Sequence, residues 1–185
     1  MSGARRLVLA SGNQHKVGEL ARLVAAAGLP LRVEAAGELG ALPAIVEDAP
    51  TFLGNALLKA RGFAEWLVGR GVAGDALVLA DDSGLCVDAL GGAPGVYSAR
   101  FAGPGAGDRA NNARLVEALA AIGLDRSPAH YVCVLALVRV DGGALPGAAE
   151  GARWFEGRMD GEVRAAARGG GGFGYDPHFW IDGGA

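Results

Sequence analysis

Short apolar runs alternate along the chain with longer segments whose apolar residues recur every three or four positions. The short runs have the length of buried strands, and the periodic segments have the spacing of amphipathic helices. Such an alternation is typical of α/β proteins. The pattern predicts strands over residues 7–10, 31–35, 76–79, 96–101, 131–140, 154–156 and 162–164, and helices over residues 14–27, 52–68 and 108–122.

Polar and glycine-rich segments mark where these elements begin and end. Thr51 is a suitable N-cap for the second helix and Asp108 for the third, because both side chains can accept a hydrogen bond from the first turn. The Asp160-Gly161 pair predicts a tight turn between the last two strands. We find neither an internal repeat nor a linker, and therefore expect residues 1–185 to form a single domain.

Two acidic residues follow the apolar strand at residues 76–79. A buried strand has no structural need for Asp81 and Asp82, and two adjacent carboxylates raise the cost of ionising both. The carboxyl ends of strands are also where open α/β sheets bind ligands. The pair is therefore a candidate metal or general-base site. The alternative is an ordinary turn, because residues 81–84, Asp-Asp-Ser-Gly, are all turn formers.

Composition narrows the class of protein. Hydrophobic residues make up 51% of the chain and charged residues 20%, which is typical of a globular protein. The net charge of −3 gives no general attraction to nucleic acids or anionic membranes. The longest apolar run, residues 131–138, is too short to span a bilayer, and no signal peptide follows Met1. We therefore expect a cytoplasmic protein in which Cys86 and Cys133 are reduced core residues.

Lysine is rare in this chain: fifteen basic residues are arginine, and only Lys16 and Lys59 are lysine. Lysine is a compact point charge that suits phosphate groups. Lys16 ends the segment Ser11-Gly12-Asn13-Gln14-His15-Lys16, which lies between a predicted strand and a predicted helix. N–H groups in a helix's first turn bind anions, and Gly12 lets a ligand approach the backbone closely. The segment is a candidate phosphate site, although strand-to-helix turns often contain such residues.

Asn55 and Lys59 lie four residues apart and therefore share one face of the second predicted helix. Glu47 lies in the acidic loop before that helix. Mg²⁺ prefers one or two carboxylates together with water and phosphate oxygens, so Glu47 and Asp82 fit that number of ligands. Taken separately, Lys59 is better explained by an exposed helix face and Glu47 by an ordinary acidic loop.

A glycine-flanked loop near residue 175 carries two aromatic residues. Phe173 and Tyr175 can sandwich a flat base, and Asp176 can accept a hydrogen bond from a ring N–H. The alternative is a loop that both aromatic side chains attach to the core. No Ser/His or Cys/His arrangement in the sequence suggests acyl transfer.

Several segments occur in an order that is more specific than any one of them. They are Ser-Gly-Asn-x-x-Lys at 11–16, Glu47, Thr-Phe-x-x-Asn-Ala-x-x-Lys-Ala at 51–60, Ala-Asp-Asp-Ser-Gly-Leu at 80–85, Gly-Gly-x-Pro-Gly-x-Tyr-Ser-Ala-Arg at 91–100 and Gly-Phe-Gly-Tyr-Asp-Pro at 172–177. Over almost its whole length the chain resembles the Ham1/RdgB-type inosine/xanthosine triphosphate pyrophosphatases. The resemblance implies a mixed α/β fold with an elongated, two-lobed sheet, flanking helices and an active cleft between the lobes.

The resemblance also implies an activity and a role for each candidate residue. The enzyme would be a Mg²⁺-dependent homodimer that hydrolyses ITP, dITP and XTP to the monophosphate and pyrophosphate. The triphosphate would be held by Ser11, Gly12, Asn13, Gln14, His15 and Lys16, with help from Lys59. Ser83 would contact the phosphate or the sugar, and the purine would be held by Phe173, Gly174, Tyr175 and Asp176. Glu47 and Asp82 would bind Mg²⁺, and Asp82 would also orient or deprotonate the attacking water, with Asp81 in support.

Two departures from the family pattern affect these expectations. Position 54 is glycine where the family commonly carries glutamate, which is expected to weaken the helix and loosen the site. The family also continues past the position of Ala185 through a helix with a lysine and a Ser-His-Arg motif that read the purine's keto oxygen. Two alternatives therefore stay open: a nucleotide-binding protein with weak catalysis, and a related pyrophosphatase that acts on other modified nucleotides, such as pyrimidine nucleotides.

Overall fold

The computed structural model describes residues 4–12, 14–72, 74–169 and 172–181. Its α-helices and strands are, in chain order, β1 (Arg5–Leu9), α1 (Gln14–Ala26), β2 (Leu31–Ala35), α2 (Phe52–Val68), β3 (Leu77–Val87), α3 (Asp108–Ala121), β4 (Arg126–Arg139), β5 (Ala152–Arg164) and β6 (Phe179–Trp180). Within the described residues the strands form one sheet in the order β2-β1-β3-β4-β5-β6. β1 is parallel to β2 and β3, whereas β6 is antiparallel to β5. The prediction of a mixed α/β fold is confirmed.

The chain divides into two compact units. The first unit comprises residues 1–82 and 134–155, and the second comprises residues 83–133 and 156–185. One domain over residues 1–185, with an active cleft between lobes, stays a prediction. Among the helices of the described segments, none is long and apolar enough to cross a membrane.

One hydrophobic cluster of the first unit lies between its strands and one face of α1. It contains Leu7 and Leu9 of β1, Leu77 and Leu79 of β3, and Val17 and Val24 of α1. Val17 and Val24 are seven residues apart, close to two helical turns, so they lie on one face. Leu23 of the same helix is exposed, because it lies about 100° from Val24 around the helix axis.

The core of the second unit collects side chains from both ends of its sequence. It contains Leu85 and Val87 of β3, Leu115 and Leu119 of α3, Ala129 of β4, Val163 of β5, and Tyr175. Leu115 and Leu119 are four residues apart and fully buried, as expected for one face of an amphipathic helix. This core therefore fixes both α3 and the loop that contains Tyr175. Cys133 of β4 is exposed, so the prediction that both cysteines are core residues is wrong for Cys133.

β3 is longer than predicted, and this changes the position of the acidic pair. The strand runs over Leu77–Val87, so Asp81 and Asp82 lie in its middle. Leu85 and Val87 are buried and resume the alternation of inward-facing side chains beyond the pair, which favours a continued strand. The predicted end of the strand at this pair and the alternative Asp-Asp-Ser-Gly turn are both wrong.

The segment predicted as a strand at residues 96–101 contains a 3-10 helix, Gly95–Arg100, instead. Pro94 precedes it with φ −71° and ψ −24°, which are helical values and lead directly into the 3-10 turn. The hydroxyl group of Ser98 donates to the Gly95 carbonyl at 2.7 Å and stabilises this turn. The strand prediction here is wrong because a local side-chain hydrogen bond favours the turn.

The strands predicted at 154–156 and 162–164 belong to one continuous strand, β5. The predicted turn at Asp160-Gly161 is therefore wrong, and Gly161 serves another purpose. A Cβ atom at position 161 would collide with the carbonyl oxygen of Trp180 and lie 2.6 Å from the Phe179 ring. Glycine thus allows β6 to approach β5 closely.

The prediction for the second helix is confirmed. α2 begins at Phe52 and ends at Val68, and the side chain of Thr51 accepts a hydrogen bond from the Gly54 amide at 3.0 Å. α3 begins at Asp108 and ends one residue earlier than predicted. Its N-cap is Gly107, so the prediction that Asp108 caps this helix is wrong.

We predict that Gly161→Ala lowers the free energy of unfolding by about 1–3 kcal/mol, because the added methyl group has no room beside β6. Urea-induced unfolding measures the change. Gly157→Ala on the same strand is the matched control, since the nearest atom to its new Cβ is 4.0 Å away. The control should be neutral or slightly stabilising, because alanine restricts the unfolded chain. Equal stability of the two variants would contradict the close approach of β6.

Candidate functional site

Asp81 and Asp82 are neighbours in β3, yet their carboxylates have different surroundings. Consecutive side chains of a strand point to opposite faces of the sheet. The Asp81 carboxylate pairs with Lys16 of α1, whose Nζ lies 2.5 Å from Asp81 Oδ2. The Asp82 carboxylate lies beside residues of α2 instead. The geometry of the strand itself therefore separates the two negative charges.

Asn55 of α2 presents its N–H group to Asp82. Asn55 is 1% exposed, and its Oδ1 accepts a hydrogen bond from the Ala49 amide at 2.9 Å. Because a backbone amide can only donate, this contact fixes which end of the Asn55 side chain is the oxygen. The Nδ2 group is left to face Asp82 Oδ2, at 3.4 Å. The loop before α2 thus orients a donor toward the carboxylate.

Lys59 joins the same loop to β3. Its Nζ lies 2.9 Å from Glu47 Oε2, 2.8 Å from the carbonyl oxygen of Asp81 and 3.8 Å from Asp82 Oδ1. An ammonium group has three N–H donors and no acceptor, so it suits this set of oxygen atoms. Glu47 and Asp82, which are far apart in sequence, therefore meet around one positive charge.

The pKa of Asp82 is raised above its ordinary value, chiefly because burial disfavours the charged form. Lys59 and the hydrogen bond from Asn55 lower it, while the charges of Glu47 and Asp81 raise it further. The net result is a carboxylate that accepts a proton more readily than an exposed aspartate. Such a group can act as a general base toward water.

Gly54 allows the loop before α2 to pack tightly against the helix. A Cβ atom at position 54 would lie 2.6 Å from the Cβ of Ala49 and 3.1 Å from Oγ1 of Thr51. Ala49 is also the residue whose amide orients Asn55. The sequence predicts that Gly54 loosens the site. In the structure it instead makes room for Ala49, whose amide forms one of the contacts of the site, the bond to Asn55.

The donor set around Asp82 fits a divalent cation that is shared with a ligand. In the described segments no group of three or more His, Cys, Asp and Glu side chains could hold a metal ion by itself. Glu47 and Asp82 do approach the same ammonium nitrogen, so both carboxylates can serve one positive charge. Mg²⁺ usually takes one or two carboxylates and completes its shell with water and phosphate oxygens.

The predicted phosphate segment connects β1 to α1. Ser11 is half-buried, Gly12 lies close to Leu42, and Gln14 is the exposed first residue of the helix. Asn13 and the side chain of His15 lie outside the described residues. The first turn of α1 contains no acidic residue, so its positive end is available to an anion. Lys16 stands in this turn, and its contact with Asp81 links the segment to β3.

The structure places the two aromatic residues of the predicted base site in different environments. Phe173 is 76% exposed, whereas Tyr175 is 3% exposed and belongs to the core of the second unit. The Tyr175 hydroxyl donates to the Ser98 carbonyl at 2.7 Å, and burial raises the pKa of this phenol. The Tyr175 side chain is therefore attached to the core, as the alternative had it. Of the two aromatic residues, only Phe173 has an accessible ring.

Ser98, which has no predicted role in the sequence, links the aromatic loop to β3. Its Oγ accepts a hydrogen bond from the Leu85 amide at 2.9 Å, and its carbonyl accepts from Tyr175. Leu85 follows the acidic pair on the same strand, and Ser83 between them is exposed. The only sequence signal for Ser98 is its place in the Tyr-Ser-Ala-Arg segment at 97–100.

We predict that Asp82→Asn becomes more stable relative to the parent protein as pH rises, in the absence of divalent cations. A carboxyl group whose folded pKa is raised destabilises the folded state once it ionises, and this penalty is absent well below the ordinary value of 3.8. The variant's advantage in unfolding free energy should therefore be small at about pH 3 and grow as pH passes through the raised pKa. Urea unfolding in a chelating buffer measures it.

Asp48→Asn is the control for this comparison, because it removes an exposed carboxylate from the loop before α2. Both variants remove one negative charge, but only Asp82→Asn removes a charge that is partly buried. The difference between them therefore reports the effect of burial. An advantage of Asp82→Asn that shrinks with rising pH would show that attraction to Lys59 outweighs the effect of burial.

Comparison with known proteins agrees with this fold. A sequence model of the Ham1 family matches residues 7–185. The dITP/XTP pyrophosphatase of Ralstonia nicotianae is 53% identical over 96% of this chain and 81% of its own length. The enzyme of the same name from Xanthomonas axonopodis pv. citri is 47% identical over 95% of this chain and 80% of its own length.

Solved structures are similar over a comparable length. A HAM1 protein from Coxiella burnetii has a TM-score of 0.80 and 35% identity, covering 96% of this chain and 82% of its own. A nucleoside-triphosphatase/dITP/XTP pyrophosphatase from Mycobacterium abscessus has a TM-score of 0.73 and 35% identity, covering 97% of this chain and 83% of its own. With a family match over nearly its whole length and relatives of this identity, the chain belongs to the Ham1 family.

Proposed function

We propose that this protein hydrolyses deaminated purine nucleoside triphosphates, such as ITP, dITP and XTP, to the monophosphate and pyrophosphate. The names of its curated relatives, dITP/XTP pyrophosphatases, support this substrate class. The observation in the site that carries the proposal is the Asp82 carboxylate, whose pKa is raised by burial and which lies beside the Asn55 amide and the Lys59 ammonium group. This is an arrangement suited to activating water next to a polyanion.

Asp82 is proposed to act as the general base. In the reaction the oxygen of a water molecule attacks phosphorus, the proton of that water passes to Asp82, and the α–β anhydride bond breaks to release pyrophosphate. Asn55 keeps the carboxylate oriented through its N–H group. Asp81 would act indirectly, through its contact with Lys16.

Glu47 and Asp82 are proposed to hold a Mg²⁺ ion together with the substrate's phosphate oxygens. When bound, the ion would offset the negative charge that builds up on the phosphates. Lys59 already gives these two carboxylates a common positive partner, which supports their joint role. Lys59 would offer N–H donors to phosphate oxygens as well.

The remaining candidate residues are proposed to bind the two ends of the nucleotide. Lys16 would hold the triphosphate together with Ser11, Gly12, Asn13, Gln14, His15 and Ser83. Phe173 would stack on the purine, and Asp176 would accept from the ring N–H that 6-keto purines carry and adenine lacks. Tyr175 would position the loop from the core, since its ring is buried.

The assembly and location predicted from the sequence belong to the same proposal. A homodimer is the state that the family resemblance implies. The cytoplasm holds the nucleoside triphosphate pool, and a role in removing deaminated purines supports that location.

Release of pyrophosphate from a panel of triphosphates tests the function. The panel contains dITP, XTP, ITP, ATP and a modified pyrimidine triphosphate, each with Mg²⁺ and with a chelator. We expect turnover of dITP, XTP and ITP that the chelator abolishes. Binding without turnover would favour the weakly catalytic alternative, and preference for the pyrimidine would favour the related pyrophosphatase.

We predict that Asp82→Asn lowers kcat for dITP at least ~100-fold with Mg²⁺ present, because general-base catalysis contributes about 10²–10⁴-fold. Asp81→Asn is the matched comparison on the adjacent residue of β3. It should reduce kcat less, since the Asp81 carboxylate contacts Lys16 and not the groups around Asp82. Near-normal turnover of Asp82→Asn would remove Asp82 from the catalytic role.

We predict that Lys16→Ala and Lys59→Ala each weaken the binding of a non-hydrolysable dITP analogue. Loss of a charged hydrogen bond to phosphate should raise Kd by about 10-fold or more. Arginine at either position should restore binding only in part, because its planar fork has a different shape. Calorimetry measures Kd, and circular dichroism checks that the fold is retained. Unchanged affinity in both alanine variants would contradict a role in phosphate binding.

A further inference from the structure

α3 binds both polar backbone groups of a single residue in the aromatic loop, Gly174. The Gly174 amide donates to Asp108 Oδ2 at 2.7 Å, and its carbonyl accepts from Asn112 Nδ2 at 2.8 Å. Asp108 and Asn112 are four residues apart and therefore share one face of the helix. Both lie in the second unit, as does the loop. The helix thus fixes the backbone of an otherwise exposed segment between Phe173 and Tyr175.

Gly174 has a backbone conformation that glycine adopts readily and other residues rarely adopt. Its φ is +59°, in the left-handed region that favours glycine. A Cβ atom at position 174 would have no other atom within 4 Å. Glycine is therefore favoured here by its backbone angle and not by lack of room for a side chain. The preceding amide, of Phe173, donates to Asp176 Oδ2 at 3.0 Å. Two successive amides therefore point to acidic acceptors, and together they set the direction in which the Phe173 ring leaves the chain.

The orientation of the Asn112 side chain allows its Nδ2 group to bind the loop, while its Oδ1 atom makes no hydrogen bond to the described residues. Its Oδ1 is buried and has no hydrogen-bond partner among the described residues. Turning the amide over would place that oxygen against the Gly174 carbonyl oxygen and lose the bond at 2.8 Å. A buried acceptor without a partner is costly, so the contact with Gly174 is what holds the side chain in this orientation.

We propose that Asp108 and Asn112 are positioning residues for purine recognition: by holding Gly174 they fix Phe173 and Asp176 in the geometry that binds the base. This inference rests on the proposed function. It gives two residues of α3 a part in specificity, although neither would touch the reacting phosphates. Their loss should weaken binding of the base and leave the chemical step and the phosphate contacts unchanged.

Kinetics of Asn112→Ala with dITP, and its affinity for inorganic tripolyphosphate, test the proposal. We expect KM for dITP to rise about 3–10-fold, in keeping with the loss of one hydrogen bond, while kcat changes less than about twofold. Affinity for tripolyphosphate, which has no base, should stay the same. Asn112→Asp should have a larger effect on KM, because a carboxylate oxygen would face the Gly174 carbonyl. Glu117→Ala is the matched control, since its side chain is 69% exposed on the same helix.

A double-mutant cycle with Phe173→Ala separates positioning from general destabilisation. If Asn112 acts through both Phe173 and Asp176, adding Asn112→Ala to Phe173→Ala should raise KM by less than the same change does in the parent protein, or raise Kd of a dITP analogue by less where turnover is too slow. Equal effects in both backgrounds, an unchanged KM in Asn112→Ala, or an equal loss of tripolyphosphate affinity would each overturn the proposal. The parent protein is assayed first: absence of dITP turnover there contradicts the proposed function itself.

Discussion

The Lys59 ammonium group joins three parts of the first unit: α2, the loop that precedes it, and β3. It contacts Glu47 in a loop, the backbone of Asp81 and the carboxylate of Asp82 in β3, and it is itself carried by α2. Without this charge, two partly buried carboxylates would face each other with no positive group between them. The same contact fixes how far α2 and its preceding loop lie from β3. The position of Asn55, and through it the orientation of Asp82, depends on that spacing.

The elements that could be predicted from sequence are those whose signals are local. α2 has a capping residue and a clear apolar periodicity, and it begins and ends as predicted. The mixed α/β fold was implied by the family resemblance, and the alternation of strands and helices agrees with it. The grouping of Glu47, Lys59 and Asp82 was implied by the family resemblance, and the structure brings these residues together. Their catalytic and metal-binding roles stay predictions.

Other features depend on contacts between distant segments, which the local sequence does not report. Asp160-Gly161 has the composition of a turn, but the space required by β6 explains the glycine. Asp108 has the composition of a cap, but its carboxylate binds the Gly174 amide 66 residues away. Tyr175 resembles Phe173 in a symmetrical loop, yet the core of the second unit takes only one of the two rings. In each case tertiary packing decides between two uses of the same residue.

The close packing of Gly54 and Ala49 restricts the order in which substitutions at these two positions can occur. A side chain at position 54 requires the Cβ of residue 49 to be removed or the loop to move, because the two Cβ atoms would lie 2.6 Å apart. Moving the loop would displace the amide that orients Asn55. A path of single substitutions toward a glutamate at position 54 therefore passes most easily through glycine at position 49. Engineering of this helix start should treat the two positions as one unit.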